Sequence, residues 1–121
     1  MIRSTRWFIV DDDAKTFKSK RKARTLPTAF DKSIKNWELR TEGYQADNSV
    51  ITCGLCDLFK RMNKTCLKCP ITDYTGFRYC RGNIPYINYC DSKNKQIRPK
   101  LAIREMEFLK FLQSIYVIEA S

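Results

Sequence analysis

The sequence predicts a small α+β domain with two main amphipathic helices, a short β element from the termini and a turn-rich cysteine module over residues 52–90. Three observations lead to this class: a short aromatic and β-branched run near the N-terminus, two segments with helical periodicity, and a cluster of cysteines between them. The length of 121 residues suits one domain. We therefore expect a basic strand and arm over residues 1–25 and a single domain over residues 26–121.

The β element is predicted from both ends of the chain. The run TRWFIV favours a strand over about residues 5–10, and three aspartates then predict a solvated turn in which Asp13 caps the next segment. The segment IYVIE, residues 115–119, is a second candidate strand, whose pairing with the first would join the termini. Between them, residues 15–24 hold six positive charges and one large apolar residue, which indicates a mobile arm or a marginal helix.

The first helix is predicted over residues 28–43. Thr28 offers an N-cap hydroxyl with Asp31 three residues later, Pro27 lies just outside, and Gly43 is a natural C-terminal stop. Leu39 falls on the face opposite the apolar stripe, and the sequence does not explain it. The stripe itself follows helical spacing: Phe30, Ile34, Trp37 and Thr41.

The second helix is predicted over residues 99–116, because Pro99 is acceptable in a first turn and an apolar stripe comes after it. Ala102 and Ile115 are expected at the rim of this stripe. Its members recur along one face: Leu101, Glu105, Phe108, Leu109, Leu112 and Tyr116.

Five of the six cysteines lie between residues 53 and 80, and a CxxC pattern occurs twice with nine residues between the copies. Each CxxC turn can present two sulfurs to one ion, and a tetrahedral four-thiolate zinc site needs two such pairs. We expect a structural zinc site, while Cys80 is either a spare thiol or a replacement for one of the four and Cys90 is free. The candidate ligands are Cys53, Cys56, Cys66, Cys69 and Cys80.

The same cysteines allow two alternatives to zinc. An iron–sulfur cluster also takes thiolates, but the closely spaced CxxCxxCxxxC rhythm is missing, so this cofactor is less favoured. Three disulfides would suit a secreted protein. The N-terminal WFIV run is too short for a signal peptide, and no segment approaches the ~20 apolar residues of a membrane span. We therefore expect a cytoplasmic protein with reduced thiols.

Histidine is absent from the chain. No residue can therefore act as a histidine general base, complete a Ser/His/Asp arrangement or supply an imidazole ligand to zinc. An all-thiolate zinc site is closed and structural, without the open position that catalysis needs. The sequence predicts that the protein is not an enzyme and has no small-molecule substrate.

The segments WELRTEG, CGLCDLF, CLKCPI, TGFRYCRG and IPY together carry a resemblance. Over about residues 33–89 the chain resembles small uncharacterised cysteine-rich proteins that bacteriophages and prophages encode, with the pattern CxLC, CxxCP[IV], TG, C and PY. Ile84 departs from the commoner Thr, and residues 1–25 have no counterpart. The resemblance implies a viral or prophage setting, hence the host cell cytoplasm, and a metal site, but it implies no activity.

Positive charge is concentrated in two segments of a chain with a net charge of +10. Residues 1–25 carry eight Lys or Arg against three Asp, and residues 53–99 carry nine against three. Phosphate backbones and acidic protein surfaces are the partners that such charge attracts. Arginines are also interleaved with aromatics in GFRYCRGNIPYINY, a combination found in single-strand binders, although these aromatics can equally form a small core around the metal.

These features indicate two functions from different classes. The first is a zinc-stabilised accessory protein that binds nucleic acid through the basic arm and the cysteine module. The alternative is a phage-encoded inhibitor that binds and blocks a host defence protein, such as a nucleic-acid-guided nuclease complex. Neither involves a membrane. The candidate nucleic-acid-binding residues are Lys18, Lys20, Arg21, Lys22, Arg24, Arg78, Tyr79 and Arg81.

Overall fold

Helix α1 (Leu26–Thr41) organises the fold, because a small sheet and a second long helix, α4 (Arg98–Tyr116), both pack against it around one hydrophobic core. The computed structural model describes residues 1–46, 53–60, 69–76, 82–94 and 96–117. In this part of the chain the fold is a small α+β domain, as the sequence predicted.

The sheet has the strand order β1 (Ile2–Ser4), β2 (Phe8–Asp11), β3 (Thr16–Ser19) and β4 (Gln45–Ala46). The first three strands are antiparallel, and β4 runs parallel to β3. One face of the sheet is buried because alternate residues of β2 and β3 are apolar, and the rings of Phe8 and Phe17 meet edge to face at 5.2 Å.

The sheet differs from the prediction in two respects. Both neighbours of β2 come from the N-terminal half, so its predicted pairing with the C-terminal segment is wrong. Ile115 and Tyr116 instead complete α4, while residues 118–119 lie outside the described residues. The predicted arm over residues 15–24 is also wrong in its first part, because burial of Phe17 makes residues 16–19 a strand.

The three aspartates at the end of β2 enter the predicted turn, and each has a partner, which for Asp13 is the N-terminal amine of Met1. Asp11 is the capping residue in place of Asp13, since its Oδ1 accepts from the N–H groups of Asp13 and Ala14, both at 3.1 Å. Asp12 accepts from Tyr44 at 2.6 Å and lies 2.9 Å from Nε of Arg3. The turn is therefore held by its own carboxylates.

Helix α1 begins two residues before the predicted start, because the capping hydroxyl belongs to Thr25. Thr25 and Thr28 form a reciprocal capping box, which makes Thr28 the third helical residue and leaves Pro27 inside the first turn, where its missing N–H costs nothing. At the other end the N–H groups of Gly43 and Tyr44 bond to the carbonyls of Arg40 and Leu39. With Gly43 at φ 91°, this is a Schellman ending.

Two sides of α1 are buried, which explains why Leu39 lies on the face opposite the predicted apolar stripe. Trp37, on the predicted stripe, packs edge to face against Tyr89 with ring centroids 4.9 Å apart. Leu39, on the opposite face, belongs to the same buried cluster as Trp7 and Phe8 of the sheet side. The helix therefore needs apolar residues on both sides.

Helix α4 begins at Arg98 and buries Ala102, Glu105, Leu109 and Leu112. Ala102 lies fully buried within the stripe and not at its rim, because a small residue suits the close packing of α4 on α1. None of the helices among the described residues is long and apolar enough to cross a membrane.

The described parts of the cysteine module are mainly helical where the sequence predicted turns. They comprise a π-helix over Cys56–Lys60, preceded by helical residues 54–55, then α2 (Pro70–Thr75) and α3 (Ile84–Asp91). The prolines that suggested turns lie in the first turns of α2 and α3, and Gly76 ends α2 at φ 79°. Proline at a helix start and glycine at its end are compatible with helix.

Candidate functional site

The first CxxC turn, residues 53–56, is docked closely on α1. A Cβ atom at Gly54 would lie 2.3 Å from the carbonyl oxygen of Ala29 and 2.9 Å from Cβ of Lys32, so only glycine fits there. The buried hydroxyl of Ser33 accepts a hydrogen bond from the N–H of Leu55 at 3.1 Å. Helix α1 therefore sets the position of the turn.

Cys53 directly precedes the helical residues and is surrounded by hydrogen-bond donors. The Cys56 side chain, and after it the Ser33 hydroxyl 3.4 Å away and the N–H groups of Cys56 and Leu55, lower the pKa of the Cys53 thiol to about 6, although burial opposes this shift. The lowered pKa favours the thiolate form of Cys53. A thiolate is the form of cysteine that binds metal, so Cys53 has the character of a metal ligand, and Cys56 lies beside it.

The remaining cysteines do not complete a metal site among the described residues. Cys69 is buried at the N-cap of α2, and Cys90 is exposed on α3. Cys66 and Cys80 lie outside the described residues. Within the described ranges, no group of three or more His, Cys, Asp or Glu side chains is arranged to hold a metal ion. The structure thus brings Cys53 and Cys56 together, and the four-thiolate site stays a prediction.

A buried ion pair lies next to the cysteine pair. Nζ of Lys32, on α1, is 2.5 Å from Oδ2 of Asp57, and both side chains are almost completely buried. Lys32 also donates to Oγ of Ser19 at 2.7 Å and to the carbonyl of Arg21 at 2.8 Å, and Asp57 accepts from the N–H of Ala23 at 3.1 Å. The pair therefore joins α1, the cysteine-containing helix and the chain around the end of β3.

That stretch of chain carries most of the predicted basic site, here called the basic segment, residues 18–24. Its backbone is held by the ion pair and by a hydrogen bond from the N–H of Lys20 to the carbonyl of Trp7 at 2.8 Å. Ala23 is buried, which also orders the segment. The charged side chains are exposed: Lys18, Lys20, Arg21, Lys22 and Arg24.

The five cations of the basic segment have no carboxylate partner in the described part of the chain. Nζ of Lys20 donates only to neutral oxygens, Oγ of Ser4 at 2.6 Å and the carbonyl of Thr5 at 3.3 Å. The nearby aspartates are engaged elsewhere, since Asp31 accepts from Nε1 of Trp7 at 2.6 Å and Asp57 is paired with Lys32. The positive charge of this surface is therefore not neutralised by described residues.

Sequence reasoning missed the residues that join the two halves of this site. Lys32 and Ser33 are polar residues beside the apolar stripe of a helix, a position that ordinarily indicates a solvated face. Asp57 offered one signal, because it immediately follows the first CxxC pattern. The other predicted nucleic-acid-binding residues, Arg78, Tyr79 and Arg81, lie outside the described residues.

In comparisons with known proteins, no family model, no curated protein and no solved structure matches this chain. The arrangement of the site is therefore the basis for its functional interpretation. It places the cysteine pair, in which the Cys53 thiol has a lowered pKa, next to Asp57, and the buried pair of Asp57 and Lys32 bonds to the backbone of the exposed basic segment.

Proposed function

We propose that this protein binds the phosphate backbone of nucleic acid through the basic segment, and that zinc held by cysteine thiolates stabilises the module next to it. The observation that carries the proposal is the set of exposed cations at residues 18–24, which have no acidic partner among the described residues. Lysine and arginine on phosphates supply affinity without reading sequence. The protein is thus proposed to bind nucleic acid independently of its sequence.

The order of the basic segment supports this proposal. A flexible basic tail loses conformational entropy when it binds, whereas a segment fixed in advance loses less. Here backbone groups of Lys20, Arg21 and Ala23 are bonded to the rest of the fold. Only the ends of the charged side chains then have to adapt to a phosphate.

The thiols support a role for zinc. Cys53 and Cys56 lie side by side, and the lowered pKa of Cys53 removes much of the cost of deprotonation before metal binding. Two further thiolates from Cys66, Cys69 and Cys80 would complete a tetrahedral structural site. Because Asp57 follows Cys56 directly, metal at these thiols would also stabilise the hydrogen bond to Ala23.

The test is fluorescence anisotropy with labelled random-sequence oligonucleotides, single- and double-stranded, titrated from low to physiological salt. On duplex DNA the logarithm of affinity should fall against the logarithm of salt with a slope of about −0.9 per neutralised phosphate, so about five contacts give roughly −4 to −5. Changing Arg21, Lys22 and Arg24 together to Glu should flatten that slope by about two to three.

The matched control is a triple change of equal charge on α4, where Lys100, Arg104 and Lys110 are also exposed. Changing these three to Glu should affect affinity much less than the changes in the basic segment. Absence of binding at low salt, or equal losses in both triple variants, would contradict the proposal for residues 18–24.

A second candidate function is favoured by an exposed apolar surface. Tyr74 of α2 contacts Phe108 and Phe111 of α4, with ring centroids 6.2 and 5.5 Å apart. Tyr74, Phe111 and Ile115 remain exposed, and such patches mark protein-binding surfaces. This surface suits an inhibitor that blocks a host defence protein, such as a nucleic-acid-guided nuclease complex. Identification of the macromolecule that co-purifies from host cells, with Phe111→Ser as the comparison, distinguishes the two functions.

A further inference from the structure

A small cavity of about 110 Å³ lies where the end of α1, strand β4, α3 and the start of α4 meet. Arg40, Tyr89 and Arg98 line it together with residues 43–45 and Pro99. None of these lining residues is acidic. The cavity is therefore bordered by two positive charges and by neutral groups.

Both arginines of this cavity lie against the same aromatic ring. The guanidinium carbons of Arg40 and Arg98 are 5.4 and 4.3 Å from the centroid of Tyr89. Packing against a ring restricts the side chains and leaves the edges of the guanidinium groups available for hydrogen bonds. Tyr89 is itself buried against Trp37, so the arrangement rests on the core.

Neither arginine has an ionic partner in the ranges that the structure describes. Arg40 has only neutral acceptors, Oδ1 of Asn36 at 3.3 Å and the Tyr89 hydroxyl at 3.5 Å. Nε of Arg98 is buried without any hydrogen-bond acceptor among the described residues. A buried donor without an acceptor is costly, and two unpaired guanidinium groups that lie against one ring repel each other. An anion in the cavity would relieve the repulsion.

The backbone at the cavity adds little net charge, because the start of α4 and the end of α1 meet there with opposite ends of their dipoles. The first N–H groups of α4 are engaged, since Arg98 donates to the carbonyl of Asn94 and both Lys100 and Leu101 donate to that of Ile97. The opposing carbonyls of Arg40 and Leu39 at the end of α1 already accept from Gly43 and Tyr44.

We propose that this cavity binds one phosphate group, either free phosphate or the phosphate of a monoester, between Arg40 and Arg98. Guanidinium groups bind tetrahedral oxyanions through paired N–H donors, which makes arginine well suited to phosphate. Since one water occupies about 30 Å³ of liquid, the cavity has room for one phosphate group. This site is independent of nucleic-acid binding at residues 18–24.

The test is titration of the full-length protein with inorganic phosphate at constant ionic strength, followed by calorimetry and by the side-chain Nε–Hε resonances of arginine. Binding should saturate and should shift the Arg98 resonance. Arg98→Gln should weaken binding about tenfold or more, because a charge-assisted pair of hydrogen bonds is lost. The matched control is Lys100→Gln, which removes the same charge from an exposed position in the same helical turn.

Circular dichroism verifies that each variant is folded. If Arg98→Gln unfolds, Arg98→Lys takes its place, because it keeps the charge but loses the paired donors. Tighter binding of a nucleoside monophosphate than of phosphate would assign the site to monoesters, while equal binding would assign it to free phosphate. A linear, non-saturating response of the wild type would overturn the proposal, and so would equal affinities of the Arg98 and Lys100 variants.

Discussion

At the scale of single residues, small and polar side chains position the cysteine pair. Gly54 permits contact with the backbone of α1, and Ser33 bonds to the N–H of Leu55 while it contacts Cys53. Neither residue is a ligand candidate, yet both determine where the two sulfurs lie. The thiolate character of Cys53 depends on this placement, because donors around a buried sulfur stabilise its charged form.

Glu105 of α4 leads to a prediction of how the free energy of unfolding depends on pH. It is fully buried, accepts from Nδ2 of Asn83 at 2.6 Å, and has no hydrogen-bond partner for Oε2 among the described residues. Burial is the main cause that raises its pKa from 4.5 to about 8, and the nearby Cys53 also raises it. Between pH 4.5 and about 8, the Glu105 carboxyl therefore keeps its proton in the folded protein and loses it in the unfolded chain.

The sign of the pH dependence is set by this difference in bound protons. As pH rises from about 4.5 to about 8, the contribution of Glu105 to the free energy of unfolding should fall, since the native state binds more protons. Glu105→Gln, which stays neutral, should therefore be more stable than wild type at pH 8, by at least about 1 kcal/mol, and similar to it at pH 5. Urea unfolding at both pH values measures this. Glu107→Gln, at an exposed position of α4, is the control and should show no such difference.

At the scale of elements, the pair of Lys32 and Asp57 connects α1, the π-helix and the basic segment. Asp57→Asn would leave the Lys32 charge buried without a partner and should cost about 3–5 kcal/mol of unfolding free energy. The double variant Lys32→Met/Asp57→Leu removes both charges and should recover most of that stability. It should still bind oligonucleotide more weakly, because the carbonyl of Arg21 and the N–H of Ala23 lose their partners.

Chemical denaturation gives the stabilities of these variants, and anisotropy at low salt gives their affinities. If the double variant is stable and binds as tightly as wild type, the ion pair does not shape the basic segment. The control is Lys35→Met/Glu38→Leu, which removes an exposed pair of α1 with a distance of 3.4 Å and should change stability by less than about 1 kcal/mol.

At the scale of the whole molecule, the prediction concerns metal. Protein purified under reducing conditions without chelator should be colourless and contain about one zinc per chain, as elemental analysis would show. Cys56→Ser should lose the metal or the fold, because apparent zinc-binding energies of about 10–16 kcal/mol contribute to folding. Cys90→Ser, in an exposed residue of α3, should leave both unchanged.

Comparison of Cys66→Ser with Cys80→Ser shows whether Cys66 or Cys80 is a zinc ligand. Release of zinc by Cys80→Ser with no effect of Cys66→Ser would show that the second CxxC pair is not the ligand pair. A brown sample that contains iron and sulfide would show that the cofactor is an iron–sulfur cluster and not zinc. A folded protein without metal would exclude both cofactors.

Local patterns allowed much of the fold to be predicted from sequence. Helix α4 is within one residue of its predicted bounds, because an apolar stripe and an initial proline define it. The strand of residues 8–11 lies at the predicted run of aromatic and β-branched residues. The start of α1 was misplaced because Thr25 and Thr28 are both good caps, and only the reciprocal hydrogen bonds of the folded chain distinguish them.

The sequence by itself determined the periodic elements, the CxxC pair and the excess of positive charge, since these depend on residues close together in the chain. The tertiary structure decided which strands pair, that residues 18–24 are ordered, and that Lys32 is buried against Asp57, 25 residues away. It also brought Arg40 and Arg98 onto one ring. Such contacts depend on how the strands and helices pack together, because burial converts distant polar residues into partners, and no local pattern specifies that packing.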